Sequence, residues 1–473
     1  MSSFGGILNI ARLAINAHQT AIQVASHNIA NAETPGYSRQ RAVLVENTPE
    51  RTPIGLLGTG VMTQRVDQMR DSMLDASFRR ESAQSSGFGL RGDLLGQLEG
   101  VFNEPSDDAF AGTLDAFWNA WSDLSNTPSN DTTREVLRER GSQVASALHG
   151  YSARLDELTA DTGLRLDRSV AQFNDYARQV AALSGQIVSA EVGGGTAGDL
   201  RDARNVALDA MAKLAPIQIN ERGDGSVQVT LMNQSVVDGN SAKAISYSGT
   251  PPAIRLSFAG STQPLAVTGG ELGAMLQVMN GDIPEARARL DELAAGLVQA
   301  VNAAHRTGWS PGVEPTADPP VTPPGWAGSN VDFFDPAGVS ASTISLSSAV
   351  LADRGAIAAS GVYGGTGDNA IALQLSRLRD TPVSIGSPAS TLTLGTHYRD
   401  TVTGIAIKAS SVSDSAAVYD TIATQANTRR QSVSGVSTDE ELIDLMRHQQ
   451  AYVAATRLVT AVDEMTQELL NMV

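Results

Sequence analysis

Two stretches, one at each end of this 473-residue chain, carry apolar residues at alternating spacings of three and four. This is the heptad pattern by which helices pack side by side. The positions in the first stretch are Ile7, Ile10, Ala14, Ala17, Ala21 and Val24, followed by Asn28. In the second stretch Leu445, Tyr452, Val459 and Thr466 lie seven apart, with Ala455, Val462 and Leu469 between them. We predict that these two arms pair with each other or with copies of the protein.

The first arm should be marginally stable alone. Alanine lets a partner helix approach closely but buries little apolar area, so the helix needs a partner to be ordered. Proline disfavours helix in the residue before it and glycine favours a turn, so residues 34–36 should end the helix. The second arm should begin at Thr438, which is followed by three acidic residues at the positive end of the helix dipole.

We predict an assembly site on the arms. Its members are Asn28, Asn31, Thr34, Pro35, Gly36, Tyr37, Leu445, Tyr452, Val459, Val462 and Leu469. Two interpretations of the segment 28–37 stay open: it is only a helix stop and turn, or its polar flank also docks on neighbouring subunits. A polar residue on a heptad seam, here Asn28, suggests control of register.

The two arms also carry a resemblance. Residues 30–40, ANAETPGYSRQ, are similar to the N-terminal signature of the bacterial flagellar rod, hook and hook-associated proteins. The tail resembles the same family through SGV at 434–436, DEE at 439–441, HQQAYVAATRLV at 448–459 and DEMTQELLN at 463–471. Two motifs in the right order at the two ends make the resemblance specific. Residues 36–40 resemble most the proteins of the hook–filament junction, while residues 437–438 and 446–448 depart from the family pattern.

The resemblance implies a structural, non-enzymatic protein. It implies a ring of identical subunits that joins hook to filament, with the hook protein below and hook-associated protein 3 above. It further implies a cytosolic export chaperone acting on the C-terminal arm, type III export without a cleaved signal peptide, and a place in the extracellular flagellum. We expect the arms to be disordered in the free monomer and to fold as a coiled coil that lines the channel.

Two rival functions stay open at this point. One is another axial protein of the flagellum, the hook protein or hook-associated protein 3. The other is a secreted cell-wall hydrolase held by helical arms, for which the sequence offers no candidate catalytic residues. Isolated histidines stand at 18, 27, 149, 305, 397 and 448, with no two of them three or four apart. No cofactor or metal is therefore expected.

Composition excludes several partners. The net charge of −17 disfavours nucleic acid and anionic membranes. The chain has no cysteine, so disulfides and thiol chemistry are excluded. No apolar run is long enough to span a membrane.

The predicted fold is mainly α with a β insert: a long antiparallel helical bundle whose N- and C-terminal helices form a coiled coil. The predicted units are an N-terminal arm (1–66), a helical body (67–215), a small β domain (216–270), a continued helical body (271–435) with a proline-rich loop (309–326), and a C-terminal arm (436–473). Residues 41–65 are expected to be irregular, apart from a strand near Val61–Val66. The β domain should form an exposed outer bump.

Within the body, Asn130 or Asp131 should cap the longest helix, which would be a rod of about 90 Å if unbroken to residue 191. Gly163 and Gly185 are positions where it could break. Trp121 is predicted to lie in the core and Trp118 beside the apolar face. The short segment after Phe333-Phe334 leaves no room for the further outer domain that some family members carry there.

Overall fold

The computed structural model of the chain describes residues 2–52, 55–102, 110–311, 328–386 and 390–472. Helices dominate it. In chain order they are α1 (Ser2–Ala30), α2 (Ser72–Phe102), α3 (Phe110–Asn126), α4 (Asp131–Glu191), α5 (Gly198–Leu214), α6 (Gly270–Gln277), α7 (Ile283–His305), α8 (Ser348–Ala352), α9 (Ala370–Arg377), α10 (Leu394–Ser434) and α11 (Thr438–Asn471). A π-helical turn, Val278–Asp282, joins α6 to α7.

Helix α4 is the longest element, with 61 residues and a length of about 90 Å. The side chain of Asn130 caps it by accepting a hydrogen bond from the Thr132 amide. Its buried stripe repeats at three- and four-residue steps from Leu148 to Ile187. Gly163 and Gly185 lie inside the helix and do not break it. The predicted cap is confirmed, and of the two possibilities left open for the rod, broken or unbroken, the structure shows the unbroken one.

Strands form several small antiparallel sheets. They are β1 (Gln40–Glu46), β2 (Glu50–Thr52), β3 (Gly55–Leu57), β4 (Val61–Gln68), β5 (Ile217–Glu221), β6 (Val227–Leu231), β7 (Gln234–Asp238), β8 (Ser241–Ala242), β9 (Ile245–Ser248), β10 (Arg255–Phe258), β11 (Pro264–Leu265), β12 (Val383–Ile385) and β13 (Ser390–Leu392). Strands β5 to β11 lie where the sequence predicts a β unit. Their apolar side chains share one core with α4 and α6, so the unit packs on the helical body.

The prediction that residues 41–65 are irregular is wrong. Strand β1 pairs with β4 in a seven-residue antiparallel ladder, with β2 and β3 forming a second hairpin at its tip. Of the prolines and glycines that suggested irregular structure, Pro49, Gly58 and Gly60 lie in connections between strands, where such residues favour turns, and Gly55 is the first residue of β3. Pro53 lies outside the described residues. The alternation of apolar and polar residues along β1 is weak because β1 is only half-buried.

An aromatic cluster fills one end of the body. Phe117 and Trp121 of α3 pack against Phe333 and Phe334, and all four side chains are fully buried. Trp118, which was predicted to lie beside this face, is 2% exposed and also belongs to the core. The chain returns from Phe334 to Leu346 through one compact turn.

His305 is fully buried beside this cluster and accepts a hydrogen bond at Nε2 from the Ala358 amide (2.8 Å). Its proton therefore lies on Nδ1, which donates to the Val331 carbonyl (2.7 Å). Burial lowers the pKa of His305 to about 4. Of the predicted proline-rich loop 309–326, residues 312–326 lie outside the described residues.

Helices from the two halves of the chain pair antiparallel. Helix α10 lies along α2, with the rings of Phe88 and Tyr419 stacked at 4.9 Å and the guanidinium of Arg430 lying 3.8 Å from the Phe78 ring centre. Helix α11 lies along α1 in the same way. The accessible surface is 24374 Å², whereas a compact monomer of this mass would expose about 17,000 Å². The molecule is therefore elongated.

A candidate assembly joint between the arms and the body

Asn28 is the centre of a buried polar joint, and its side chain is fully buried. Its Nδ2 donates to the Gln40 carbonyl and to Oε2 of Glu441, each at 2.8 Å. Its Oδ1 accepts from the Gln40 amide (3.0 Å) and from the Tyr37 hydroxyl (2.7 Å). Both donors and both acceptor sites of the carboxamide are thus used. One side chain ties α1 to the following turn, to β1 and to α11.

Glu441 is the partner of Asn28 on α11 and is 3% exposed. Its second oxygen accepts from Nε of Arg39 (2.6 Å). The Arg39 guanidinium also reaches Glu440 (3.0 Å) and Asp444 (3.6 Å). Buried carboxylates need such partners, because an unpaired buried charge is strongly unfavourable. Arg39 therefore offsets part of the negative charge of the first turns of α11 and holds them at the end of α1.

Tyr37 connects this joint to the preceding helix. Its hydroxyl donates to Asn28 and lies 3.1 Å from Nδ1 of His27. Burial raises the pKa of Tyr37, and the carboxylates of Asp199, Asp202 and Glu441 raise it further. The hydroxyl therefore stays protonated at neutral pH and remains a donor.

Ser38 and the residues around it attach the same segment to the body. The Ser38 hydroxyl and amide both donate to the carboxylate of Asp202 on α5, at 2.7 and 3.0 Å. Arg70 donates to the Ser38 hydroxyl (2.9 Å) and pairs with Asp75 through two nitrogens. Burial raises the pKa of Asp202, against the opposing effect of the Ser38 hydrogen bonds and Arg70. The segment is anchored to α5 and α2 as well as to both arms.

Gly36 lets the chain turn into this anchored segment. Its φ of +82° favours glycine, and an added Cβ would lie 2.3 Å from Cγ2 of Val206 on α5. At the other end of the segment, the Gln40 side chain donates to Asp199 (3.1 Å). Every residue of Gly36–Gln40 thus has a stated structural role in the joint. Sequence reasoning missed Ser38, Arg39, Gln40, Asp202 and Glu441 as site residues, although the first three lie inside the motif that carries the resemblance.

The outer residues of the predicted turn behave differently. Asn31 is half-buried and makes local hydrogen bonds, to the His27 carbonyl (3.0 Å) and from Thr34 (3.2 Å). Thr34 and Pro35 are exposed. The contacts of Asn31 and Thr34 are local and fit a helix stop, and docking of these residues and Pro35 on neighbouring subunits stays a prediction. Asn28, Gly36 and Tyr37 are brought together in the joint.

The contact between α1 and α11 overlaps the predicted seams only in part, because Ala17, Ala21, Asn28, Ala455 and Val462 are the predicted seam positions that are buried. Helix α1 also packs on β1 and β4. On α1 the buried positions are Ala11, Ala17, Ala21, Ala25 and Asn28, and on α11 they are Glu441, Ala455 and Val462. Half-buried His448 completes a strict seven-residue spacing on α11. Of the predicted positions, Val462 is buried, Leu445 and Tyr452 are half-buried, and Val459 and Leu469 are exposed. Ile7 of α1 is also exposed.

The paired arms leave large apolar side chains in solvent. On α11 they are Leu442, Ile443, Met446, Val453, Leu458, Val459, Met465, Leu469, Leu470 and Met472. At 100° per residue, Leu442, Met446 and Val453 lie on one face, and Ile443, Leu458 and Met465 on another. Neither is the face that contacts α1. Helix α11 therefore presents two further apolar faces that the described chain does not cover.

Within the described ranges, no cluster of three or more histidine and acidic side chains is arranged to hold a metal ion. The helices described here also include none that is long and apolar enough to cross a membrane.

Three family models match parts of the chain. A model described as "Flagellar hook-associated protein FlgK helical domain" matches residues 95–315. One for the C-terminal region of the flagellar basal body rod proteins FlgEFG matches residues 429–472, and one for the flagella basal body rod protein matches residues 8–37. The two terminal matches contain most of α1 and α11.

Two curated relatives match over nearly the full length of the chain. The chain is 28% identical to flagellar hook-associated protein 1 of Bacillus subtilis, with 99% of this chain and 98% of the relative covered. It is 22% identical to the protein of that name from Escherichia coli, with 98% and 99% covered. The structure of the flagellar hook junction protein FlgK from Burkholderia pseudomallei has the same fold, with a TM-score of 0.61 at 17% identity, covering 76% of this chain and 100% of that one.

Proposed function

Because this chain belongs to the family of flagellar hook-associated protein 1, we propose that it forms a ring that joins hook to filament and that α1 and α11 carry the assembly. The chain is a structural component of the flagellar hook–filament junction. The proposal concerns how it assembles. The observation that carries it is the pair of apolar α11 faces that α1 leaves in solvent.

The α1–α11 contact alone is a weak basis for order. Its buried apolar side chains are mostly alanines, each contributing far less than the roughly 1.5–3 kcal/mol of a buried leucine or methionine. The larger side chains of α11 face solvent instead. Their burial against neighbouring subunits would contribute more than the contact within one chain. We propose that the arms pair as a coiled coil and that neighbouring molecules complete their order.

The joint gives this assembly a fixed geometry. Asn28, Glu441 and Arg39 hold the base of the arm pair, and Ser38 with Asp202 holds the connecting segment to the body. The base can therefore be ordered in one chain while the far ends of α1 and α11 depend on neighbours. In the proposed ring the arms form the inner layer and line the channel, the helical body lies outside them, and strands β5 to β11 form an outer bump.

The proposed partners follow from the family. They are copies of this chain, the hook protein, hook-associated protein 3 and a cytosolic export chaperone that acts on the C-terminal arm. Export would use the flagellar type III route. The match to the hook-associated helical domain over residues 95–315 favours this function over that of the hook protein. No observation favours a cell-wall hydrolase.

Deletion of residues 436–473 tests the proposal. The truncated chain should remain a soluble helical monomer, because the core of the body lies outside α11, and it should no longer cap hooks or form rings. A strain that produces only this protein should make hooks without filaments and shed flagellin. Normal ring assembly by the truncated chain would refute the proposal.

A point variant gives a sharper test with a matched control. The triple variant L442E/M446E/V453E places charges on one uncovered face of α11 while leaving the α1 contact intact, and it should abolish assembly. The exposed glutamines Gln449 and Gln450 provide the control, because Q449E/Q450E adds charge to α11 without removing an apolar side chain. If both variants assemble equally well, that face of α11 is not an interface.

A further inference from the structure

Two histidines meet in the contact between the arms. His18 of α1 and His448 of α11 lie with their Nδ1 atoms 3.2 Å apart and their ring centres 5.4 Å apart. Both are half-buried, and they are separated by 430 residues of sequence. The joint at Asn28 does not use them. They are the titratable pair in a contact that otherwise consists largely of alanine.

The geometry accepts one proton between the two nitrogens and not two. A neutral pair forms an Nδ1–H···Nδ1 hydrogen bond when one ring carries its proton on Nδ1 and the other on Nε2. A singly charged pair keeps that bond and strengthens it. A doubly charged pair places two N–H groups and two positive charges against each other, so the contact must open.

The charges around the pair do not compensate two imidazolium ions. Asp444 favours the cation of His448 and Arg447 disfavours it, and these two side chains also pair with each other at 2.9 Å. On the strands that pack against α1, Arg65 pairs with Asp67, while Arg41 and Glu46 are exposed. Burial lowers the pKa of both histidines, and the charge of His448 lowers that of His18 further.

From this geometry we infer that His18 and His448 form a proton-sensitive latch, which holds the two arms together at neutral pH and releases them in mild acid. The sign follows from the chemistry. The paired arms cannot hold two protonated rings, whereas the open arms can, so the contribution of the contact is complete above pH 6.5 and declines as the pH falls through the lowered pKa values. Regulation of ring assembly by this latch rests on the proposed function, whereas the opening of the arms does not.

The absence of cysteine from the chain allows a direct measurement. Spin labels at Q19C and Q449C, both exposed and each one residue from the pair, report the fraction of paired arms in the full-length protein by electron paramagnetic resonance distances. We expect the ratio of paired to open arms to fall about tenfold from pH 7.5 to pH 5.0, the factor that corresponds to losing one hydrogen bond with a net contribution of about 1.4 kcal/mol. In H18Q and in H448Q the ratio should change less than about twofold, because a single histidine cannot form the doubly charged pair.

The exposed histidine His149 on α4 supplies the control, and H149Q should keep the full response. The inference is overturned if the wild-type ratio is the same at both pH values, if H18Q and H448Q respond like the wild type, or if no paired population exists at pH 7.5. These results are independent of the assembly of truncated chains at a single pH, so failure of the latch and failure of the proposed function can be told apart.

Discussion

Replacing Asn28 with alanine should detach the arms from the body at their base. The change removes four hydrogen bonds at a fully buried position. Tyr37 keeps its contact with His27, and Glu441 keeps Arg39, so the main loss falls on the amide and carbonyl of Gln40. A buried polar group without a partner costs about 1–3 kcal/mol. We therefore expect the joint to lose about 3 kcal/mol.

Exchanging the carboxamide of residue 28 with the carboxylate of residue 441 tests the reasoning more stringently. N28D preserves the shape but removes both donors and places a carboxylate against Glu441, so it should cost more than N28A. Adding E441Q restores a donor–acceptor pair at this contact, while Arg39 retains Glu440 and Asp444. We expect N28D/E441Q to recover at least about 1.5 kcal/mol, half of the loss expected from N28A.

Amide hydrogen exchange is the suitable assay. The Gln40 amide donates directly to Asn28, so its protection factor reports the joint, and a loss of 3 kcal/mol would lower it more than about a hundredfold. Tryptophan fluorescence is less suitable, because Trp118 and Trp121 lie in the core of the body. N31A is the control. It should change the free energy of opening at the Gln40 amide by less than about 1 kcal/mol, since Asn31 is only half-buried. The reasoning is refuted if the Gln40 amide has the same protection factor in N28A as in the wild type. It is also refuted if N28D/E441Q shows no more protection of this amide than N28D.

Further predictions concern stability at His305, at Gly36 and at two helical glycines of α4. The pKa of buried His305 is about 4, so on acidification the unfolded chain binds a proton at this residue before the folded chain does. The free energy of unfolding should therefore fall by about 3 kcal/mol as the pH drops from 6.5 to 4. In H305N the acid titration of stability should lack this fall. G36A should destabilise the joint by about 1–3 kcal/mol, because residue 36 has a positive φ and an added Cβ would clash with Val206. G36A/V206A removes the clash but not the backbone strain, so it should recover only part of the loss. Amide hydrogen exchange at Gln40 measures both variants. G150A should raise the thermal midpoint, with a gain of about 0.5–1 kcal/mol, because that helical glycine has open space around it. G141A should lower the midpoint, since its Cβ would lie 2.9 Å from packed side chains.

Elements with a strong local pattern could be predicted from the sequence. The cap at Asn130 and the buried stripe of α4 follow from local chemistry and helical periodicity, as does the hairpin turn between β5 and β6. Asn28 was correctly placed on the face of α1 that meets a partner. In each case the information lies within a few turns of helix or one hairpin.

The face of each arm that meets the other could not be predicted in full. Both arms are apolar on more than one face, so periodicity does not tell which face meets a partner within the chain. The observed α11 stripe includes Glu441 and His448, which an apolar pattern leaves out. The link from Ser38 to Asp202 joins residues 164 apart, and nothing in the local sequence of either indicates the other. Long-range polar contacts of this kind depend on the tertiary fold.

The pairing of α1 with α11 also has a consequence for biogenesis. Asn28 meets Glu441 across 413 residues, so α1 leaves the ribosome well before α11 and has to wait for this partner. This contact can close only after α11 has been made, whereas α3, α4 and α5 of the body are near in sequence and can pair earlier. Helix α1 should therefore reach its final packing later than the helices of the body. Until then its alanine-rich helix is accessible to any factor that must keep the chain unfolded for transport.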